Sequence, residues 1–268
     1  MKIGCCLNMH STLPDGIGLE WLEVAVAAGY DYIELPLAQM MGLDDQEFFK
    51  LHQRVISAGI PCEACNNFLP AHLKVTGRVE KAAVMDYAGR ALERAARLGV
   101  QVVVFGSGMS RNVPDWLDMN EALGQLVDFL HSLIHLLEQF NITLVIEPLR
   151  VQESNIINSL SEAARLMKMV DHPRVKLLSD SFHMAFAGET PDILLEWAKD
   201  IKHAHFSRVE GRVIPTGELS PLETDYIVKL NSIECPRVSI ESYSNNFEAD
   251  SRKAIELIKE VQLLQGHR

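Results

Sequence analysis

The sequence lacks the features by which membrane, secreted and nucleic-acid-binding proteins are most readily identified. No apolar run approaches the length of about 18 residues that a membrane-spanning helix requires. The N-terminus, MKIGCCLNMH, has no charged segment followed by a long apolar stretch and a small-residue cleavage site, so we expect no signal peptide. The formal net charge is −11. Such a surface repels phosphate backbones, which argues against a nucleic-acid partner.

Cysteine is also scarce. The five cysteines are Cys5, Cys6, Cys62, Cys65 and Cys235. Their odd number and wide spread favour reduced thiols in the cytoplasm over a disulfide framework. Cys62 and Cys65 match a C-x-x-C spacing, but they lie in a predicted strand, where residues three apart point to opposite faces. We therefore predict no metal or redox role for this pair.

The chain instead contains a regular alternation of short apolar runs and longer segments of helical periodicity. The runs predict strands at residues 2–8, 30–36, 60–68, 100–108, 142–148, 174–180, 201–207 and 236–244. The longer segments predict helices at 20–29, 44–59, 78–99, 120–140, 159–170, 190–200, 221–231 and 248–264. Because parallel strands need crossover helices, the alternation predicts an α/β fold, the (β/α)₈ or TIM barrel.

The main alternative for this alternation is an open, doubly wound sheet. That fold places a glycine-rich phosphate loop after an early strand. The nearest candidate, FGSG at residues 105–108, lacks the third glycine and its spacing. No linker or low-complexity segment divides the chain. We therefore predict a single TIM-barrel domain over residues 1–268, with its active site at the C-terminal ends of the strands.

Four consecutive predicted strands end in side chains that can bind a metal ion. These are Glu147, Asp180, His205 and Glu241. Any one of them could simply cap a helix or contact a loop, but four in succession, from four strands, converge at the mouth of a barrel. Two Glu, one Asp and one His suit one divalent cation that accepts both oxygen and nitrogen ligands, such as Mn²⁺, Co²⁺ or Mg²⁺.

Two further residues are predicted to lie behind these ligands. His203 has the same strand parity as His205, so it points to the same face one layer deeper and is expected in the core or behind the ligands. Glu34 ends the second predicted strand. We expect it to support the metal ligands rather than to bind the ion itself.

These motifs resemble the sugar isomerase/epimerase family of the xylose-isomerase-like TIM barrel superfamily, especially the ketose 3-epimerases. The resemblance is most specific from residue 144 to 243. The matching segments are VIEPLRVQE with Glu147 and Glu153, SDSFHM with Asp180 and His183, HAHFS with His205, GRVIPTGEL with Arg212, and SIESY with Glu241. The spacing from His205 to Arg212 departs from the family pattern, which leaves Arg208 as a rival to Arg212.

The resemblance implies a divalent-metal-dependent isomerase that acts on a small keto-sugar or related keto-polyol. Glu147 and Glu241 would be the catalytic acid and base on opposite sides of a planar enediolate, while also binding the metal. Glu153, His183 and Arg212 would bind the substrate.

Three other functions remain open from the residues alone. A dehydratase of a cyclic keto-polyol or dehydroshikimate-type substrate could use the same metal site. An apurinic endonuclease-like phosphodiesterase is less favoured, because it needs several metals and a basic surface for DNA. A non-catalytic sugar-binding protein is a third alternative, but it would have no need for the complete set of four metal ligands. The expected partner is a small-molecule substrate, with no nucleic acid and no membrane. A second copy of the chain, in a homo-oligomer, is left open as a further partner.

Overall fold

A computed structural model describes residues 1–263, whose eight strands form a closed barrel in chain order. The strands are β1 (Lys2–Cys6), β2 (Tyr32–Pro36), β3 (Cys62–Asn66), β4 (Val102–Phe105), β5 (Thr143–Ile146), β6 (Val175–Asp180), β7 (Ile201–Phe206) and β8 (Arg237–Ile240). Each strand is parallel to its neighbours, and β8 pairs with β1 to close the ring. The predicted TIM barrel is confirmed.

Helices fill the connections and surround the barrel. They are α1 (Leu22–Ala28), α2 (Leu37–Met40), α3 (Asp45–Ala58), α4 (Lys81–Arg97), α5 (Gly108–Arg111), α6 (Met119–Gln139), α7 (Leu160–Val170), α8 (Ser181–Ala187), α9 (Ile193–Glu196), α10 (Pro221–Ser232) and α11 (Phe247–Leu263). The last predicted helix extended to Leu264, which lies outside the described residues. No helix within residues 1–263 is both long enough and apolar enough to cross a bilayer.

The connection between β6 and β7 differs from the prediction. The helix predicted at 190–200 is reduced to the four residues of α9, and the longer helix, α8, begins directly after β6. The Asp180 side chain caps α8, because its Oδ1 accepts a hydrogen bond from the Phe182 N–H at 2.7 Å. A helix of only seven residues is too short to show periodicity in the sequence.

The C-x-x-C segment also differs from the prediction. Register between β2 and β3 shifts after Ile33, which pairs with Cys62, while Glu34 pairs with Ala64. This irregularity places Cys62 and Cys65 together in the layer between strands and helices, rather than on opposite faces. Both are buried free thiols.

The barrel interior is packed below the mouth. Its apolar cluster consists of Tyr32, Ala64, Val102, Val104, Val145 and Leu178. The larger core lies between the strands and the surrounding helices. Because side chains alternate along each strand, the next inward-pointing residues toward the C-terminal ends are polar and meet above this apolar floor.

Candidate metal centre and active site

The four predicted metal ligands come together at the C-terminal mouth of the barrel. One ligand atom from each of Glu147, Asp180, His205 and Glu241 lies within 4.8 Å of the others. Nδ1 of His205 lies 3.1 Å from Glu147 Oε1 and 3.2 Å from Glu241 Oε2. Three carboxylates and one imidazole nitrogen therefore surround a common point.

Two neighbouring residues fix the position of Glu147: Arg111, which binds its backbone carbonyl oxygen, and Gly106, which lies beside its carboxylate. The buried Arg111 donates hydrogen bonds to the carbonyl oxygens of Glu147, at 2.8 Å, and of Phe105, at 3.0 Å. Gly106, which directly follows β4, leaves space for the carboxylate, because a Cβ there would lie 2.1 Å from Glu147 Oε2. These two contacts orient the side chain of Glu147 toward the mouth of the barrel.

The two carboxylate oxygens of Asp180 have different roles. Oδ1 caps α8, whereas Oδ2 faces Arg212, at 3.4 Å, and His183, at 3.7 Å. Because the cap fixes the rotation of the carboxylate, Oδ2 is presented to the cluster. Helix α8, which the sequence did not predict, therefore orients Asp180, a metal ligand that the sequence did predict.

His205 is oriented by Glu34, which lies behind it in the barrel. Oε1 of Glu34 is 3.0 Å from His205 Nε2, and Oε2 is 2.8 Å from His203 Nε2. Ser239 also donates to Oε2 at 2.6 Å, and the Tyr32 hydroxyl is 2.8 Å from Ser239 Oγ. An ionised carboxylate only accepts hydrogen bonds, so His205 carries a proton on Nε2. Nδ1 then faces the carboxylates of the cluster.

The pKa values show how strongly these charges interact. Burial alone would raise the pKa of Glu34, but the two histidines outweigh it and the pKa falls well below its usual value. Burial would lower the pKa of His205, but Glu34 and Glu241 raise it well above its usual value. A cation that binds Nδ1 must therefore displace a proton, so metal affinity should rise with pH.

The pKa values of Glu147 and Glu241, the two predicted catalytic residues, are shifted in opposite directions. Burial raises the pKa of Glu147. Burial would also raise the pKa of Glu241, but Arg212 and His205 outweigh it and the pKa is lowered. Such a divergence between neighbouring carboxyl groups is typical of pairs with separate acid and base roles.

Of the two rival arginines, Arg212 is the one at the cluster. Its Nη2 lies 2.5 Å from Glu241 Oε2 and 3.4 Å from Asp180 Oδ2. Arg208 instead donates to the carbonyl oxygen of Glu218 and lies 3.6 Å from the Glu223 carboxylate, away from the ligands.

The other two predicted substrate-binding residues lie beside the cluster. His183 is buried next to Asp180, and its Nδ1 accepts a hydrogen bond from the Arg150 N–H at 3.2 Å. Glu153 accepts a hydrogen bond from Arg150 Nε at 2.7 Å. Its carboxylate is partly exposed.

The donor set fits a divalent cation. The buried carboxylates of Glu147 and Asp180 and the half-buried one of Glu241 face one another with Arg212 as a nearby permanent cation, so a doubly charged ion would balance their charge. Oxygen donors with a single imidazole suit Mn²⁺, Mg²⁺ or Co²⁺ better than a soft metal. Glu147, Asp180, His205 and Glu241 are the residues that would hold it.

Sequence reasoning did not single out Arg111, Ser239 or Tyr32. A usable signal existed for two of them, because Ser239 precedes Glu241 by two residues and Tyr32 precedes Glu34 by two. This parity places them on the same inner face as their functional neighbours. Arg111 is the last residue of α5, a helix of only four residues, and nothing in its local sequence pattern indicates that it is buried.

The support that Glu34 gives to His205 is open to a direct test. Glu34→Gln keeps the size of the side chain but replaces one acceptor oxygen with a donor, so it cannot accept from both histidines and Ser239. We expect metal affinity to fall about 10- to 100-fold, as is usual when a partner behind a metal ligand is lost. Competition with a chelator of known affinity would measure the change.

Glu63→Gln is the matched control for this variant. Glu63 is also a buried carboxylate, but it pairs with Lys2 and Arg237 at the opposite end of the barrel. We expect it to lower thermal stability without changing metal affinity. Equal metal affinity in wild type and Glu34→Gln would show that Glu34 does not position His205.

The fold and this cluster define a TIM-barrel protein with four side chains at its mouth that could bind a metal ion. Over residues 22–261 the sequence matches the family described as xylose isomerase-like TIM barrel, and the chain belongs to that family. No curated protein is a significant match to the sequence.

Several solved structures share the fold. D-psicose 3-epimerase in the presence of D-fructose has a TM-score of 0.86 at 17% identity, covering 98% of this chain and 99% of that chain. The apo form of 3-keto-D-glucoside 4-epimerase from E. coli has a TM-score of 0.78 at 16% identity, covering 97% and 99%. The IOLI protein with a bound zinc atom has a TM-score of 0.69 at 20% identity, covering 98% and 97%.

Proposed function

We propose that the protein is a divalent-metal-dependent epimerase or isomerase of a small keto-sugar, acting by proton transfer at the carbon next to the carbonyl. The observation that carries this proposal is the convergence of Glu147 and Glu241 on the same nitrogen of His205, at 3.1 Å and 3.2 Å. Two sugar epimerases are among the structures that share the fold, which supports the same reaction class.

Glu147 and Glu241 are the acid and base of this mechanism. They follow β5 and β8, three strands apart in a ring of eight, so they approach a bound sugar from different sides. One carboxylate removes the proton next to the carbonyl, and the other returns a proton to the opposite face of the planar enediolate. When bound, the metal, Mn²⁺ in our proposal, stabilises negative charge on the carbonyl oxygen.

Arg212 and His183 would donate hydrogen bonds to the carbonyl oxygen and to neighbouring hydroxyl groups. Arg212 already spans Asp180 and Glu241, so a bound sugar lies next to its guanidinium group. Glu153 would accept a hydrogen bond from a sugar hydroxyl at the edge of the site. The enzyme is proposed to work in the cytoplasm, in carbohydrate metabolism, where the free cysteines stay reduced.

A screen of keto-sugars with Mn²⁺ present tests this function. Formation of an epimer, together with incorporation of solvent deuterium next to the carbonyl, would support it. Growth of absorbance from an unsaturated product, without an epimer, would instead support the dehydratase alternative. Absence of both reactions over a broad range of keto-sugars and keto-polyols would contradict the proposal.

We further expect no affinity for damaged DNA. The phosphodiesterase alternative needs several metals and a basic face, whereas the chain has a net charge of −11. An abasic duplex should therefore not bind at physiological salt, as measured by fluorescence anisotropy, with the same duplex without the abasic site as control. Tight binding that weakens steeply with salt would overturn this expectation.

A further inference from the structure

An exposed apolar surface borders the metal-ligand cluster on one side of the mouth. It consists of Val151, Phe186, Val213 and Tyr243, which are 68%, 50%, 40% and 54% exposed. We call these four residues the apolar arc. They follow β5, β6, β7 and β8, the strands that also deliver the four ligands. Single exposed apolar side chains are ordinary, but a group of them beside a site is a sign of binding.

Aromatic and guanidinium groups connect Phe186 with the cluster. The Phe182 and Phe186 ring centroids are 4.9 Å apart. Arg150 lies over both rings, at 4.9 Å and 5.2 Å, and Arg212 lies 4.8 Å from the Phe182 ring. Since Arg212 also contacts Glu241, Phe186 is linked to the ligands through Phe182 and Arg212.

Val213 and Tyr243, two further residues of the arc, are connected with the cluster through the backbone. Val213 and Tyr243 pair in an isolated parallel bridge. The Tyr243 N–H donates to the carbonyl oxygen of Arg212 at 2.8 Å, and the Ile214 N–H donates to that of Tyr243 at 2.9 Å. These bonds hold the loops after β7 and β8 together, so the arc is continuous with the cluster on this side as well.

The chemistry of this surface does not suit a free ketose. Such a sugar carries a polar group on nearly every carbon, and hydroxyl groups pressed against apolar side chains lose their hydrogen bonds to water. A substrate with an apolar substituent gains by covering the same surface. The rings of Phe186 and Tyr243 offer the flat apolar faces against which another ring packs well.

We propose that the substrate is a ring-closed keto-glycoside whose apolar aglycone covers the apolar arc. The proposal rests on the epimerase function above and adds its substrate class. A glycosidic bond at the anomeric carbon blocks the carbonyl there, so the ketone lies on another ring carbon. At the neighbouring carbon the C–H bond breaks, its electron pair forms the enediolate, and a proton returns to the opposite face.

The test compares the phenyl and methyl glycosides of 3-keto-D-glucose on the Mn²⁺-loaded protein, following deuterium uptake by NMR. We expect kcat/KM to be about 10-fold or more higher for the phenyl compound, the scale of discrimination that an apolar contact supplies. Phe186→Ala and Tyr243→Ala should bring this ratio toward one. Phe49→Ala, which removes an equally exposed ring from α3, should leave it unchanged.

Binding of phenyl β-D-glucoside, which has no ketone, separates this proposal from the function on which it rests. We expect ligand-observed NMR to detect binding that Phe186→Ala weakens, whether or not any keto-sugar reacts. Turnover of keto-sugars with equal kcat/KM for phenyl and methyl glycosides would overturn the proposal and leave the epimerase function standing. A dimer that Phe186→Ala converts to a monomer in sedimentation would also overturn it, because the arc would then be an interface between copies.

Discussion

Purified His205→Ala protein is expected to contain almost no divalent metal, whereas wild type is expected to contain about one ion per chain. His205 supplies the only nitrogen among the four ligands, and its Nδ1 lies between Glu147 and Glu241. Without it, the site keeps three carboxylates and loses its one nitrogen ligand. We expect a loss of affinity greater than the about 10- to 100-fold that follows loss of a residue behind a ligand.

Thermal unfolding gives an independent reading of the same change. A ligand at 100 times its Kd stabilises the folded state by about 2.7 kcal/mol. Wild type should therefore show a higher Tm when Mn²⁺ is added, and His205→Ala should show no such shift. His135→Ala, at an exposed position on α6, is the matched control and should bind metal as wild type does. Equal metal content in wild type and His205→Ala would refute this metal site.

The barrel was predictable because its strands are short runs of buried apolar residues with polar ends. In β5, Thr143–Ile146, three of four residues are buried, and Glu147 follows at once. A parallel barrel brings all such ends to one rim, so the topology alone predicts that the four ligands meet. Parity within β7 also placed His203 correctly behind His205, where it contacts Glu34.

What the sequence could not predict depends on contacts between distant segments. The loop after β7 contains both Arg208 and Arg212, and residue spacing does not decide between them. Arg212 adopts a left-handed backbone conformation, with φ of 51°, and its guanidinium group meets residues from β6 and the end of β8. Similarly, only the folded chain shows that Arg111 reaches the Glu147 carbonyl oxygen.

Replacing either proposed catalytic carboxylate is expected to stop epimerisation while preserving proton exchange on one face of the sugar. Glu147→Gln and Glu241→Gln each keep the size of the side chain and one oxygen that can face the metal. A general acid or base usually contributes about 10²- to 10⁴-fold in rate, and epimerisation needs both groups. Conversion of substrate to its epimer should therefore fall by at least that factor in either variant.

The surviving carboxylate in each variant still reaches the proton of one epimer. With Mn²⁺ at saturation and metal content measured, Glu147→Gln should exchange solvent deuterium into one epimer, and Glu241→Gln into the other. NMR of the recovered sugars would show which epimer carries the label. Glu63→Gln, which removes a buried carboxylate at the far end of the barrel, should epimerise as wild type does. If metal-loaded Glu241→Gln epimerised at a near wild-type rate, the two-carboxylate mechanism would be wrong, because a single carboxylate held on one side of a planar enediolate cannot serve both faces.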